Sequence, residues 1–234
     1  MSLSSSLVTS PSLSAFSGPV NGPALVPPAV THALICLHGF GSSGNDLIQL
    51  APPLKASLGN LAETLAIYSP HAPTPTRMNE GLQWFSDASW TFRDRDGIET
   101  ASRQLEAFTQ AISQHHGIPF SHIGLLGFSQ GAMTALYAAP RWSHPVGAVI
   151  SCSGAAMWQE DLNPATCHKI PTLLLHGTYD DVLPADATVA AATGLQALGV
   201  PAEYHLLPNL GHGIDPRTLA HISLFLQNLW APNT

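Results

Sequence analysis

At 234 residues and 45% hydrophobic, the chain fits one α/β domain with ample material for a large core. Only 10% of residues are charged, the net charge is -7, and the 8 Lys+Arg nowhere gather, which argues against nucleic acid or an anionic membrane surface as a partner. The cysteines are Cys36, Cys152 and Cys167, without a C-x-x-C, and they predict free core thiols in a reducing compartment rather than a disulfide frame.

Residues 1–22 are rich in Ser and Pro and carry no charge, the composition of a poorly ordered arm before a domain over 23–234. No Lys or Arg precedes Lys55 and no apolar run is long enough to span a bilayer. A cytoplasmic protein without stable membrane insertion is therefore expected. Ala33–Leu37 is a continuous apolar run, as in a strand buried on both faces. A glycine-rich turn, His38–Gly44, follows, and Asn45-Asp46 is placed to cap a helix running to about Leu58. Leu65–Ser69 reads as a strand. His71–Gly97 has prolines, no clean period and four large aromatics, Trp84, Phe85, Trp90 and Phe92, so it reads as a packed loop, with room for a short helix, over a site.

Ile98–His115 shows the 3.6-residue period of an amphipathic helix, with Leu105, Phe108, Ala111 and Ile112 on one face. His115-His116 reads as a solvated pair at the helix C-terminus. Ile123–Phe128 is a buried strand, and Gln130–Tyr137 a helix. Strands follow at Val146–Cys152, Pro171–His176 and Ala202–Leu207, with helices at Ala185–Leu198 and Asp215–Trp230. This alternation predicts a mostly parallel sheet covered by helices on both faces, a doubly wound α/β domain. In such sheets the chemistry collects at the carboxyl ends of the strands.

Three of those ends carry the residue types of nucleophilic catalysis. Ser129 lies in the frame G-x-S-x-G between a strand and a helix, a sharp turn that lifts a hydroxyl out of the chain. A serine hydroxyl needs a base, and the base needs an orienting carboxylate. After the next strand ends stand Asp180-Asp181 and then His212 between two glycines. The order Ser, Asp, His is that of the α/β-hydrolase triad, although at this point Asp181 competes with Asp180. Taken singly, each is an ordinary turn or loop residue; together, in the expected order at strand ends, they point to a triad. An oxyanion would be held by the amide of Gln130, which follows the serine, and that of Phe40 in the His38-Gly39-Phe40-Gly41 loop. The 12 histidines contain no H-x-x-x-H, so their spacing suggests no metal site.

Five stretches together resemble the phospholipase/carboxylesterase family, also called the carboxylesterase/acyl-protein thioesterase family. They are L-H-G-F-G (Leu37–Gly41), G-F-S-Q-G-A-M (Gly127–Met133), S-C-S-G (Ser151–Gly154), L-H-G-T-Y-D-D-V-L-P (Leu175–Pro184) and G-H-G (Gly211–Gly213). The resemblance covers about Ala33 to Trp230. It implies a small α/β-hydrolase fold without a large cap, acting on esters or thioesters through an acyl-enzyme, with no metal and no cofactor. It implies Ser129 as nucleophile, His212 as base and Asp180, rather than Asp181, as its partner. Members are often dimers, so a homodimer is one state it allows.

The eukaryotic thioesterase branch carries W-F-D, where this chain has Trp84-Phe85-Ser86-Asp87 and is more similar to bacterial carboxylesterases. That difference favours short- to medium-chain carboxylic esters, with Trp84, Phe85 and Leu183 as candidates to line the acyl pocket or simply to pack under a loop. Two rivals remain: a thioesterase or lysophospholipase for long acyl groups, and a hydrolase scaffold turned into a binding module.

Overall fold

In the computed structural model, residues 20–77, 81–86 and 94–230 are described; the arm up to residue 19, Trp90 and Phe92 lie outside them. The elements in order are β1 (Ala24–Leu25), β2 (His32–Leu37), α1 (Gly44–Leu47), α2 (Ala51–Ala56), α3 (Leu61–Thr64), β3 (Leu65–Tyr68), β4 (Thr74–Pro75) and β5 (Leu82–Gln83). There follow α4 (Arg95–His116), β6 (Ile123–Phe128), α5 (Gln130–Ala138), β7 (Ala148–Cys152), β8 (Thr172–Gly177), α6 (Asp186–Ala197), β9 (Ala202–Leu207) and α7 (Pro216–Trp230).

Seven strands form one sheet in the order β1-β3-β2-β6-β7-β8-β9. All neighbours are parallel except the edge pair β1–β3. Strands β2, β6, β7 and β8 are buried almost throughout, which is why they are written in continuous apolar runs. Alternate residues feed two cores. Ile35, Leu125, Val149 and Leu174 pack with α4, α5 and α6. Leu34, Leu126, Ile150 and Leu173 pack with α1, α2, α3 and α7 on the other face. The doubly wound, mostly parallel arrangement is thus realised.

Helix α4 shows how sequence makes an element here. Asp94 caps it, its carboxylate accepting from the Gly97 amide at 2.9 Å. Ile98, Leu105 and Ile112 are fully buried along one face, each contributing roughly 2 kcal/mol of burial. Gly117 ends it in the left-handed region at φ 66°. The helix therefore begins three residues before the expected Ile98, because the cap rather than the first apolar residue sets its start.

Several expectations are corrected. The helix after the glycine-rich turn is broken into α1, a 3-10 turn and α2, with Pro52 and Pro53 opening α2. Asn45 and Asp46 lie within α1, and its N-cap is Ser43. Instead of a short helix, the described part of the 71–97 loop holds the β4–β5 hairpin. Residues 20–22, expected in the arm, are tied down: Val20 is buried and the Asn21 carbonyl accepts from the His71 amide. His116 is not a purely solvated helix-end residue, since its Nε2 meets the Tyr68 hydroxyl and burial lowers its pKa.

The chain builds β2 and β3, then crosses to lay β6 on the other side of β2. Loops after β2 and β6 therefore leave toward opposite faces and open a crevice at the carboxyl end of the sheet. Among the described residues no helix is long and apolar enough to cross a membrane.

Candidate active site

Ser129 stands at that crevice, between β6 and α5, with φ 53° and ψ -118°. A non-glycine residue there carries backbone strain, of order 1–3 kcal/mol, that the surroundings must hold in place. They do so from both sides: the Ser129 amide donates to the Cys152 carbonyl at 2.9 Å, and its carbonyl accepts from Met133 at 3.1 Å. The flanking glycines are required by close approach. A Cβ on Gly127 would lie 2.4 Å from Ala132 backbone atoms, and one on Gly131 would lie 2.0 Å from the Leu37 carbonyl oxygen. The turn thus binds β6, α5 and the end of β2 into one unit.

The loop after β2 runs directly over the serine. A Cβ on Gly39 would sit 3.4 Å from Ser129 Cβ. His38 is fully buried and fixes this loop from within. Its Nδ1–H donates to the Gly39 carbonyl at 2.8 Å and its Nε2 accepts from the Ala72 amide at 3.0 Å. Burial, only partly opposed by the Gly39 bond, brings the His38 pKa down to about 4, so the ring is neutral. The β4–β5 hairpin closes the loop from outside, Gly41 donating to the Leu82 carbonyl and Leu82 donating to the Ser42 carbonyl.

The side chain of Gln130 makes a connection the sequence did not announce. Its amide accepts from the Trp84 backbone N–H at 2.9 Å and donates to the Phe85 carbonyl at 2.8 Å. The Trp84 indole donates to the His38 carbonyl at 2.8 Å. Trp84, Phe85 and Leu183, the candidates for an acyl pocket, are 2%, 2% and 7% exposed. The contacts described for Trp84 and Phe85 tie the hairpin to the elbow and the glycine-rich loop.

Asp180 and His212 are brought together although 32 residues apart. The His212 Nδ1–H donates to Asp180 Oδ2 at 2.7 Å. Their loops are laced by bonds from main-chain amides: Tyr179 donates to the Leu210 carbonyl, and Asn209 to the Thr178 side-chain hydroxyl. Oδ1 of Asp180 accepts from the amides of Val182 at 3.0 Å and Leu183 at 2.9 Å. Burial alone would raise the carboxyl pKa; the Leu183 amide, the His212 ring and the Val182 amide outweigh it and hold the group below its ordinary value. Asp181, the competitor, is exposed. The His212 ring packs 4.9 Å, centroid to centroid, from Phe128, the residue before Ser129. With Nδ1 committed to the carboxylate, Nε2 is the nitrogen left to take a proton.

A second imidazole, which sequence reasoning passed over, lies beneath this pair. His176 Nε2 is 3.1 Å from Asp180 Oδ2. The signal was present in H-G-x-x-D, but its histidine reads there as a strand-end residue.

Residues 25–230 match the sequence profile of the Phospholipase/Carboxylesterase family. The chain belongs to this family. It is a serine hydrolase of the α/β-hydrolase class. Among solved structures, esterase PE8 is 34% identical with a TM-score of 0.82, covering 90% of this chain and 99% of that one. A carboxylesterase from Mesorhizobium loti shares the fold at 22% identity and a TM-score of 0.77, covering 90% and 95%. Acyl-protein thioesterase 1 of Eremothecium gossypii is 27% identical over 206 residues, 84% of this chain and 87% of that protein. The family match therefore runs from Leu25 in the edge strand β1 to the end of the last helix.

Proposed function

We propose that this member of the phospholipase/carboxylesterase family is a carboxylesterase that cleaves short- to medium-chain carboxylic esters through an acyl-enzyme on Ser129. The observation that carries the reading is the 2.7 Å bond from His212 Nδ1 to Asp180 Oδ2, with the His212 ring 4.9 Å, centroid to centroid, from Phe128, the neighbour in sequence of a serine at φ 53°. His212 takes the Ser129 proton as the oxygen attacks the ester carbonyl, and Asp180 steadies the imidazolium that forms. The amides of Phe40 and Gln130 receive the developing oxyanion; Gln130 is the first residue of α5, whose N-terminal donors and dipole favour negative charge. The proton on His212 passes to the leaving alcohol. Water then enters by the same base and releases the acid.

The scarcity of cations supports a small neutral ester over a polyanionic partner. Phe40, Tyr179 and Val182, 40%, 70% and 48% exposed on loops at this end of the sheet, offer apolar surface to an acyl chain. The Trp84-Phe85-Ser86-Asp87 run favours the bacterial carboxylesterase branch, and the similarity to esterase PE8 favours an ester as the substrate. A second reading, a thioesterase or lysophospholipase for long acyl groups, is favoured by the fungal relatives, which are acyl-protein thioesterases.

The deciding experiment is a chain-length series of p-nitrophenyl esters alongside palmitoyl thioesters, with Ser129→Ala as control. The proposal expects kcat/KM to peak at short or medium chains and Ser129→Ala to be folded and inactive. Wild-type turnover by Ser129→Ala would end the triad reading; a preference for palmitoyl thioesters would move the protein to the second.

A further inference from the structure

The geometry points to His176 as a positioning residue that holds Asp180 in the orientation needed by His212, with Thr188 holding His176 in turn. The inference rests on the triad reading above and adds a member to it.

His176 is at the end of β8, 1% exposed, and faces three groups. Its Nε2 lies 2.9 Å from the Leu183 carbonyl and 3.1 Å from Asp180 Oδ2. Both are acceptors, so this nitrogen carries the proton. Its Nδ1 is then an acceptor, and the Thr188 hydroxyl, 2.7 Å away and fully buried on α6, donates to it. The tautomer is therefore set by the surroundings, as for a metal-bound or triad histidine.

The consequence falls on Asp180. Its Oδ2 accepts from His212, on the loop before α7, and lies 3.1 Å from the His176 ring of β8. Its Oδ1 is filled by the Val182 and Leu183 amides. The Leu183 peptide is gripped from both sides, since its N–H goes to Asp180 and its carbonyl to His176. One buried ring thus fastens the 180–183 turn to the strand end, and its N–H, given to the Leu183 carbonyl, also lies beside the carboxylate at 3.1 Å. A carboxylate with two N–H neighbours at one oxygen is less basic than one with a single neighbour, and it stabilises the His212 imidazolium less.

His176→Leu removes that N–H while keeping similar volume. The expected result is a fall in kcat on the order of 10- to 100-fold with KM little changed, measured per active site titrated by a fluorophosphonate. The acid limb of kcat/KM against pH, which reports the free-enzyme base, should move up by about half a unit or more. His176→Gln, which can again place an N–H near Leu183 and Asp180, should recover much of kcat. A purely packing role would lower the melting temperature and leave kcat per titrated site and the acid limb unmoved, and that result overturns the proposal. Should His176→Leu not fold, Thr188→Val is decisive: kcat should fall about threefold or more while Thr188→Ser stays near wild type. Wild-type kcat in Thr188→Val counts against the chain of contacts. If Ser129→Ala remains active, the triad reading itself falls; if it is inactive while His176→Leu matches wild type, only the role of His176 falls.

Discussion

Replacing Gly131 by alanine tests how closely the serine turn is bound to the strand beside it. The new Cβ would lie 2.0 Å from the Leu37 carbonyl oxygen, 2.5 Å from its carbon and 2.7 Å from the His38 oxygen. Ordinary contact begins nearer 3.5 Å, so about 1.5 Å of separation must be found. All three obstacles are backbone atoms of β2 and its loop, and no rotamer change relieves them. Either α5 or the end of β2 must withdraw. Overpacking of this kind costs about 1–3 kcal/mol, which in a chain of this size lowers Tm by roughly 2–12 °C. The same movement shifts Ser129 against the Gly39-Phe40 loop, and a displacement of about 1 Å there costs on the order of 100-fold in rate. Thermal denaturation and hydrolysis of p-nitrophenyl butyrate measure the two effects. Gly117→Ala is the control: it has nothing within 4 Å and φ +66°, so it should lose about 1 kcal/mol and keep full activity. A Gly131→Ala protein that melts within about 1 °C of wild type and turns over at the wild-type rate would refute the reasoning.

Asp180→Asn keeps the shape and removes the charge that steadies His212; kcat should drop by roughly 10³- to 10⁴-fold, and a loss below about tenfold would discard the proposed role. Burial of neutral His38 makes stability depend on pH. Its folded pKa, about 4, lies below the ordinary 6.5, so its contribution is complete above 6.5 and is lost as pH falls toward 4. The loss approaches about 3 kcal/mol, and His38→Gln should flatten the Tm–pH curve in that window; parallel curves would contradict it. Gln130→Leu strands the Trp84 amide and the Phe85 carbonyl, each a cost of about 1–3 kcal/mol, and should lower Tm by several degrees; an unchanged melt would mean those groups find other partners.

Local chemistry wrote much of this protein into its sequence. Apolar runs such as Ala33–Leu37 and Ile123–Phe128 can only be strands buried on two faces, and G-x-S-x-G between one of them and a helix is a sharp turn. The order of Ser129, Asp180 and His212 after the ends of β6, β8 and β9 was legible for the same reason, because parallel strands put every following loop at one edge. Short elements without a period were not legible: the β4–β5 hairpin and the β1 edge strand are two residues each and exist only because a partner is there to pair with. Contacts across distant loops were also beyond reach. Nothing in the order of residues says that Gln130 would bridge Trp84 and Phe85, or that His38 would be locked neutral under the Gly39 loop by the Ala72 amide. Backbone propensity and pattern are properties of neighbours in the chain and therefore travel with the sequence. Hydrogen-bond partners 30 or more residues apart become neighbours only when the sheet closes, and only the tertiary structure decides them.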